Sequence, residues 1–590
     1  MASVKTPEDK ARELKKRKAQ LASIRSYYEP MWDNIIRYVT HYMRPIDATE
    51  SDRGTRTGTY AYDGTPLSAL NLLADGLHGF LVSQSIRWFS LTLPNIINFH
   101  PTSTGAMRRW NGKRADEMPD VKAWLQMVEE VIYAAFLRSN FYEVTPEFFR
   151  AGGSIGTVSM YREHDVGSGR TVYHIPHTRE VYIAENKYGE VDTVYRVYPF
   201  TLRQLVSKFG YESASSVDPN FKFRYENNPY EEVDVLHAVF PRDDFDPRKA
   251  DVKNKPFASM WMKDGGDKLL LESGMENKCY NTWRWKKNSG EWYGGSPSWD
   301  SFVEIMKSNQ MEKDILEVSH GVAKPPYIMT EDMRGRVRIM PSGRTYVTQS
   351  QYDRPPIPLA TNYSQFPISI DRQNRAQAII KEHFHVDFFL MLSEAAQNRV
   401  PLTATQVIEM SGEKAAILGT RIGRLQSEFL NPEIDWTFEN EVSNGRIPKP
   451  PQILLDMAGA NIEVDYLGPL AQAQKRLFKT QGIFAGLEAA TKVAVLVPES
   501  MDIIDGDITM REVLDATGFP AKALRDEDTV KMIRGQRAQV QQGQMELESM
   551  EKVANMLPKA AKGAEPGSPM EQLMGGGKKE DDWTTADRVW

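Results

Sequence analysis

The chain has 590 residues, 41% hydrophobic and 26% charged, with a formal net charge of −6, long enough for about three to five folding units with real cores. That acidity excludes a generally basic nucleic-acid coat, though not a local basic patch. A single cysteine, Cys279, excludes an intrachain disulfide and a cysteine-based zinc site, and no apolar run reaches the roughly 18 residues of a transmembrane helix.

The opening MASVKTPEDKARELKKRK lacks the apolar stretch of a secretory signal, so synthesis in a reducing cytoplasm is expected. Within it Thr6, Pro7 and Asp9 mark a helix start: a capping hydroxyl, a proline at the first position and an acidic first turn. Lys10, Arg12, Lys15, Lys16, Arg17 and Lys18 follow and read as a solvated helix face. Leu21, Ile24, Tyr28, Trp32, Ile35 and Ile36 then recur at helical spacing. After a loop around Gly54 and Gly58, helices are predicted from Thr65 to Leu81 and over about 120–138.

Residues 155–285 form a β-rich block. Strands are predicted at Val172–Ile175, Val181–Ile183, Val191–Tyr198, Val233–Phe240, Phe257–Met262 and Asn281–Trp285, with a turn at Glu185–Gly189 and a short helix from Leu202 to Phe209. Gly294–Pro297 precedes a helix from about Trp299 to Ser319. A compact Pro- and Arg-rich region spans 320–366, and a long helix runs from about Ser369 to Ala395. A break at 396–402, held by Pro401, leads to the capping box Thr403–Gln406. The helix it starts is expected to kink or break at Pro432 and end near Gly445. A strand at Asn461–Leu467 and helices to about 557 follow, and the Gly/Lys/Pro/Ser-rich 558–590 reads as a mobile tail. The fold class is α+β, mainly helical.

Catalytic motifs are few. No Walker A loop occurs: Ala151–Thr157 lacks the phosphate-reaching lysine and Gly575–Lys578 the leading glycine. Gly152, Gly153 and Gly156 read instead as a helix-to-strand turn. His383 and His385, two apart on a helix, point to different faces and do not share a metal. His174 and His177 flank Pro176 and suit a turn. Asp243, Asp244 and Asp246 sit in one loop beside Arg242 and Arg248, whereas a two-metal nuclease draws carboxylates from separate elements. Asp502, Asp505 and Asp507 lack calcium-loop spacing, and Cys279 has no recognisable histidine partner. No catalytic residue, metal site or cofactor is assigned. Arg334, Arg336 and Arg338 alternate, so on a strand they share one face, with Arg344 close by. Such a face can hold phosphates or pair with a neighbouring subunit's carboxylates.

The ordered set of segments resembles one family. Tyr62–Thr65 leads into Leu72–Leu77 and Arg87–Phe89. Tyr182–Arg196, Tyr293–Pro297, Leu402–Val407, Glu413-Lys-Ala, Gly423–Ser427, Gly518–Pro520 and Ile533–Arg537 follow in order. Together, over about residues 15 to 555, they resemble the head-to-tail connector (portal) proteins of short-tailed bacteriophages. Ser85-Ile86 replaces the more usual small residue and proline, and Gln406 stands where the family often has Glu; Gln serves a capping box as well.

The resemblance implies a ring, normally of twelve subunits, with wing, stem, clip and crown regions around a DNA channel at one capsid vertex, without enzymatic activity. Mapped onto this chain, it implies a wing over 1–298, stem helices at 299–319 and 367–395, and a clip at 320–366. A tunnel loop at 396–402 follows, then a long helix returning to the wing over 403–467, a crown over 468–557 and the tail. Implied partners are double-stranded genomic DNA, the large terminase subunit, major capsid and scaffolding proteins and tail adaptor or nozzle proteins, in a virion assembled in the host cytoplasm, with no membrane. Gln397, Asn398 and Arg399 would line the channel, with an ordinary interhelical loop against the wing as the alternative. Arg399 would touch phosphate or pair with an acid such as Glu394. A metal-dependent DNA-processing enzyme using Asp243, Asp244 and Asp246, and a scaffold protein without a channel, are the alternatives.

Overall fold

The computed structural model describes residues 6–43, 61–93, 99–101, 107–109, 118–331 apart from a few loop positions, 346, 353, 357–358, 366–396, 418–456, 462–467 and short stretches between 506 and 542. The chain divides into two compact units, Met1–Ile504 and Asp505–Trp590. In the second, Arg534 holds Asp507 through two hydrogen bonds of 2.5 and 2.6 Å. All that follows concerns the first unit.

Helix α1 (Pro7–Arg25) starts on the predicted capping box: Thr6 Oγ1 accepts from the Asp9 backbone N–H at 3.2 Å, and the Asp9 carboxylate reaches back to the Thr6 N–H. The basic run that follows is not simply solvated. Lys10, Lys15 and Lys18 pair with Glu272, Asp267 and Asp264 at 2.7, 2.6 and 2.6 Å, because those acids project from a distant hairpin onto which the helix docks. The helical periodicity through Leu21–Ile36 divides at Ser26–Tyr28. Pro30, in the first turn of α2 (Glu29–Tyr38), has no N–H with which to continue the ladder.

Helix α3 (Thr65–Leu81) matches its predicted bounds. Strand β1 (Phe89–Thr92) and a small antiparallel pair, β2 (Phe99–Pro101) and β3 (Met107–Arg109), precede α4 (Pro119–Arg138). Helix α5 (Phe141–Ile155) was not expected. Gly152 and Gly153 lie inside it, and only Gly156, at φ 91°, makes the turn into the next strand. Close packing sets these two glycines: a Cβ on Gly152 would lie 2.4 Å from the Trp283 ring, and one on Gly153 would lie 2.8 Å from Leu70.

Two antiparallel sheets form the β-rich block. Strands β4 (Thr157–Asp165) and β5 (Arg170–His174) belong to one; β6 (Val181–Glu185) and β7 (Val191–Thr201) to the other. Helices α6 (Leu202–Phe209), α7 (Tyr211–Val217) and α8 (Phe221–Asn227) intervene before β8 (Glu232–Pro241), β9 (Phe257–Lys263), β10 (Leu269–Met275) and β11 (Tyr280–Arg284). The five-stranded order is β10-β9-β8-β7-β6, and the three-stranded order is β11-β4-β5. Alternation assigns the faces of the larger sheet. Leu236, Met260 and Met262 pack with Ala11, Leu14 and Leu21 of α1. Their neighbours Val235 and Trp261 pack with Leu202, Leu205 and Phe221 on the helical side.

The smaller sheet joins the main core, where Trp283 meets Phe148 and Phe149 of α5. A one-turn α9 (Pro297–Asp300) leads into α10 (Phe302–Ala323). A two-residue ladder, β12 (Tyr327–Ile328) with β13 (Ile357–Pro358), joins the ends of the region beyond it. The expected single helix over 369–395 is two: α11 (Phe366–His383) and α12 (Val386–Ala396). Between them His385 takes φ 55°, which no helix can propagate. Helix 418–425 passes through a π-turn, Gln426–Leu430, into α13 (Asn431–Ser443). The kink predicted at Pro432 thus takes the form of a wider turn, since Pro432 cannot donate to the carbonyl four residues back. After α14 (Gln452–Asp456), β14 (Glu463–Tyr466) pairs antiparallel with β1.

Candidate functional site

The helix pair α10 and α11, which brackets residues 324–365, meets the body around one carboxylate, that of Asp63. Asp63 Oδ1 accepts from the Thr65 N–H at 2.9 Å and the Thr65 hydroxyl at 2.7 Å, fixing the start of α3. Its Oδ2 accepts from the hydroxyl of Ser308, a fully buried residue of α10. Gln377 of α11 donates to Oδ1 at 3.5 Å, and Asn309 of α10 accepts from the Tyr62 N–H at 2.6 Å. One turn further on, Gln373 of α11 donates to Glu312 of α10. The interface between the two helices is therefore polar at successive turns. The end near the body is apolar, with Ile305, Ala376, Ile380 and Phe384 buried, and further out on α10 Ile315 is half-buried.

The break in the second helix is set by packing and by one polar contact. Phe389 of α12 lies over Gly76 of α3, where a Cβ would come within 2.3 Å of its ring, and it stacks on Phe80 at 6.3 Å. His385 Nε2 accepts from Arg421 Nη1 at 3.1 Å, and Arg421 in turn lies over the Trp285 ring. Burial first, then the nearby Arg421 and His383 charges, lower the His385 pKa to about 4, so the ring is a neutral acceptor. His383 is exposed, so the two histidines do not converge.

Deeper in the body, charged groups join segments far apart in sequence. Arg284, fully buried, donates to Glu185, to Glu428 of the π-turn at 2.5 Å and to the Gly189 carbonyl at 2.9 Å. Arg162 of β4 pairs with Glu433 of α13 at 2.9 Å, both side chains out of water, and Asn281 donates to Glu433 at 2.7 Å. His237 is enclosed, bonded to Tyr280 and Ser259 at 2.8 and 2.9 Å and stacked on Trp261 at 3.7 Å. Its pKa is held well below the usual value, by burial first and by Lys208 and Arg196 next.

The residues tested for chemistry fall apart. Cys279 is buried, and desolvation pushes its thiol up to about 12, the reverse of an activated nucleophile. Asp243 is exposed in a turn; Asp244 and Asp246 lie outside the described residues. His177 caps a short turn by accepting from the Arg179 N–H at 3.2 Å. Among the described residues no group of three or more His, Cys, Asp or Glu is placed to hold a metal, and no helix is long and apolar enough to cross a membrane. Gln397, Asn398 and Arg399, the Thr403–Gln406 box, and Arg334, Arg336, Arg338 and Arg344 all lie outside the described residues. Sequence reasoning missed the role of Asp63. The available signal was polar residues at helical spacing on faces that should be apolar: Ser301, Ser308 and Glu312 on one side, Gln373 and Gln377 on the other.

Comparison with known proteins places this architecture. The profile of the family described as "Bacteriophage head to tail connecting protein" matches residues 11–524. A portal protein of Salmonella phage epsilon15 is 29% identical over 535 residues, 89% of this chain and 90% of the relative. A protein of Bordetella phage BPP-1, named "Probable portal protein", is 28% identical over 537 residues with the same coverage. The Asp63 anchor, the helix pair it holds and the β-block all fall inside the matched span, and the chain belongs to the bacteriophage head-to-tail connecting protein family.

Proposed function

We propose that this chain is one subunit of a closed ring at a single capsid vertex, through which genomic duplex DNA enters during packaging and leaves on ejection. Its membership of the connecting family over residues 11–524 carries the reading. The ring is a dodecamer. Residues 1–298 form its wing, 299–319 and 367–395 its stem, 320–366 its clip, 396–402 its tunnel loop, 403–467 the return to the wing and 468–557 its crown. The clip docks the large terminase subunit first and tail adaptor or nozzle proteins later, and the wing side meets capsid and scaffolding proteins. The ring itself has no enzymatic activity and takes no cofactor.

The charge supports passage rather than capture. A protein that neutralises many phosphates releases counterions and holds DNA tightly, which would stall a sliding duplex. At −6 per chain a twelve-membered ring is strongly acidic, with basic residues left as local exceptions. Arg334, Arg336, Arg338 and Arg344 pair with a neighbouring subunit's carboxylates. Gln397, Asn398 and Arg399 make weak, exchangeable contacts with the passing duplex.

Native mass spectrometry of the purified chain tests the reading. A closed assembly of roughly 800 kDa, twelve times 67.1 kDa, is expected. A stable monomer at micromolar concentration across several salt conditions would refute it. Shortening 396–402 while keeping Thr403 should leave assembly intact and reduce the length of DNA packaged or retained. Normal packaging by such rings would remove the tunnel-loop assignment.

A further inference from the structure

We propose that the outward face of α10 in one subunit packs against the outward face of α11 in the next copy of this chain, apolar against apolar and acid against base at matched heights. This rests on the ring reading above and names its stem contact.

The two faces are read from exposure at helical spacing. On α10, Val303, Met306, Gln310, Asp314 and Glu317 are exposed. Their offsets of 3, 7, 11 and 14 residues form one stripe opposite the buried Ile305 and Ser308. On α11, Arg372, Arg375, Ile379 and Glu382 are exposed at offsets of 3, 7 and 10, a stripe off the buried Ala376 and Ile380. Each stripe carries an apolar end: Val303 is 64% and Met306 37% exposed on one, Ile379 37% on the other. The opposite end is acidic on α10 and basic on α11. Contacts there stay within each helix: Gln310 donates to Asp314 at 2.8 Å, Arg375 reaches Asp371 at 3.9 Å and Lys313 reaches Glu317 at 4.0 Å.

Height supplies the second argument. The helices are antiparallel, and their mutual contacts set the register: Gln373 lies level with Glu312, and Gln377 and Ser308 meet at Asp63. On that register Met306 stands level with Ile379 and Val303 with Glu382, and Asp314 stands within one residue of Arg372, with Arg375 about one turn nearer the body. Rotation about an axis running along the helices changes no heights. In a head-to-tail ring it therefore brings Met306 of one copy to Ile379 of the next and Asp314 to Arg372, with Glu317 and Arg375 about one turn to either side, within reach of their long side chains. A two-fold contact of α10 on α10 would instead set acid on acid if the helices ran parallel, and acid on apolar if they ran antiparallel. The second copy is thus the occupant these faces fit.

Cysteine cross-linking of assembled protein tests the pairing cleanly, because the native Cys279 is buried. The double variant Met306→Cys, Ile379→Cys should, on mild oxidation, give a ladder of covalent multimers rising to the full ring. Neither single variant should cross-link. Cross-linking by one single variant would show a two-fold contact and overturn the proposal. Rings that form without any ladder would overturn the pairing while leaving the ring reading standing; wild-type chain that stays monomeric would bring down both. As a second measurement, Asp314→Lys with Glu317→Lys should weaken assembly about tenfold at low salt. Adding Arg372→Asp and Arg375→Asp should restore it, and a lack of rescue in chains that fold would count against the ion pairs.

Discussion

Replacing Asp63 by Ala should loosen α10 and α11 selectively. The carboxylate accepts from the Thr65 backbone and hydroxyl at 2.9 and 2.7 Å and from the buried Ser308 hydroxyl, with Gln377 at its margin. Hydrogen bonds to a charged acceptor contribute about 1.5–3 kcal/mol, and an orphaned buried hydroxyl costs about 1–3 kcal/mol. Asp63 is only half-buried, so water replaces part of what is lost and the lower halves of those ranges apply. The expected net loss is about 2–3 kcal/mol. Asp63→Asn should cost only about 1 kcal/mol, because one amide oxygen still accepts and the Ser308 hydroxyl can rotate to accept from the new N–H₂. Hydrogen exchange followed by mass spectrometry reads the effect locally. A loss of 2–3 kcal/mol corresponds to exchange roughly 30- to 150-fold faster in peptides from α10 and α11, with α4 and the β-block unchanged. Exchange within threefold of wild type in both helices for Asp63→Ala would refute the anchor. Equal acceleration in every segment would show global destabilisation instead.

Three further outcomes follow from the same geometry. Gly76→Ala puts a methyl 2.3 Å from the Phe389 ring, and should lower the thermal midpoint by the equivalent of about 1–2 kcal/mol, less any helix-propensity gain; Phe389→Leu in the same chain should recover part of it. Glu433→Gln leaves Arg162 buried without its counter-charge and should destabilise by about 3–5 kcal/mol, whereas replacing both partners by apolar residues should cost clearly less, both read by denaturant unfolding. Stability should fall between pH 7 and pH 5: the folded-state pKa of His385 is lowered to about 4, so the unfolded chain binds the extra proton across that window and its contribution, fully present above about 6.5, is lost as pH falls. His385 alone should account for about 1–2 kcal/mol, and His385→Asn, which tolerates φ 55°, should flatten the profile while the buried His237 keeps part of it.

Local chemistry was legible in the sequence wherever it acted alone. The Thr6–Asp9 box, the Thr65–Leu81 helix and most strands of the β-block declare themselves through capping, periodicity and turns within a few residues. Non-local packing was not. Helix α5 was hidden because Gly152 and Gly153 read as a turn, and only the Trp283 ring and Leu70, from other elements, explain glycines inside a helix. The basic run of α1 read as solvated because Glu272, Asp267 and Asp264 lie some 250 residues away in sequence. The break at His385 carries no proline or glycine. It is fixed by Phe389 on Gly76 and by Arg421, so a periodicity test runs straight through it. Asp63 stood in a segment valued for its resemblance, yet nothing within a few residues of it shows that its partners are Ser308 and Gln377.

The same distinction bears on how the helix pair stays ordered. A helix in a globular domain is held chiefly by burying an apolar stripe. In α10 and α11 that stripe thins away from the body: beyond Ile305 and Ala376 the facing positions are Ser308, Glu312 and Gln373, with Ile315 only half-buried further out, and the outer faces show Val303, Met306 and Ile379 to water. Exposed surface ion pairs contribute at most about 1 kcal/mol each, too little to compensate for the missing core. An isolated subunit should therefore hold these helices weakly at their far ends, and a neighbour that covers Met306 and Ile379 would supply the burial they lack. On the proposed ring, order in the stem is then a property of the assembly. Exchange in the second half of α10 and the first half of α11 should slow sharply on ring closure, while α3 and the β-block should not change. Equal protection of those halves in monomer and ring would show that the polar ladder from Asp63 to Glu312 suffices by itself.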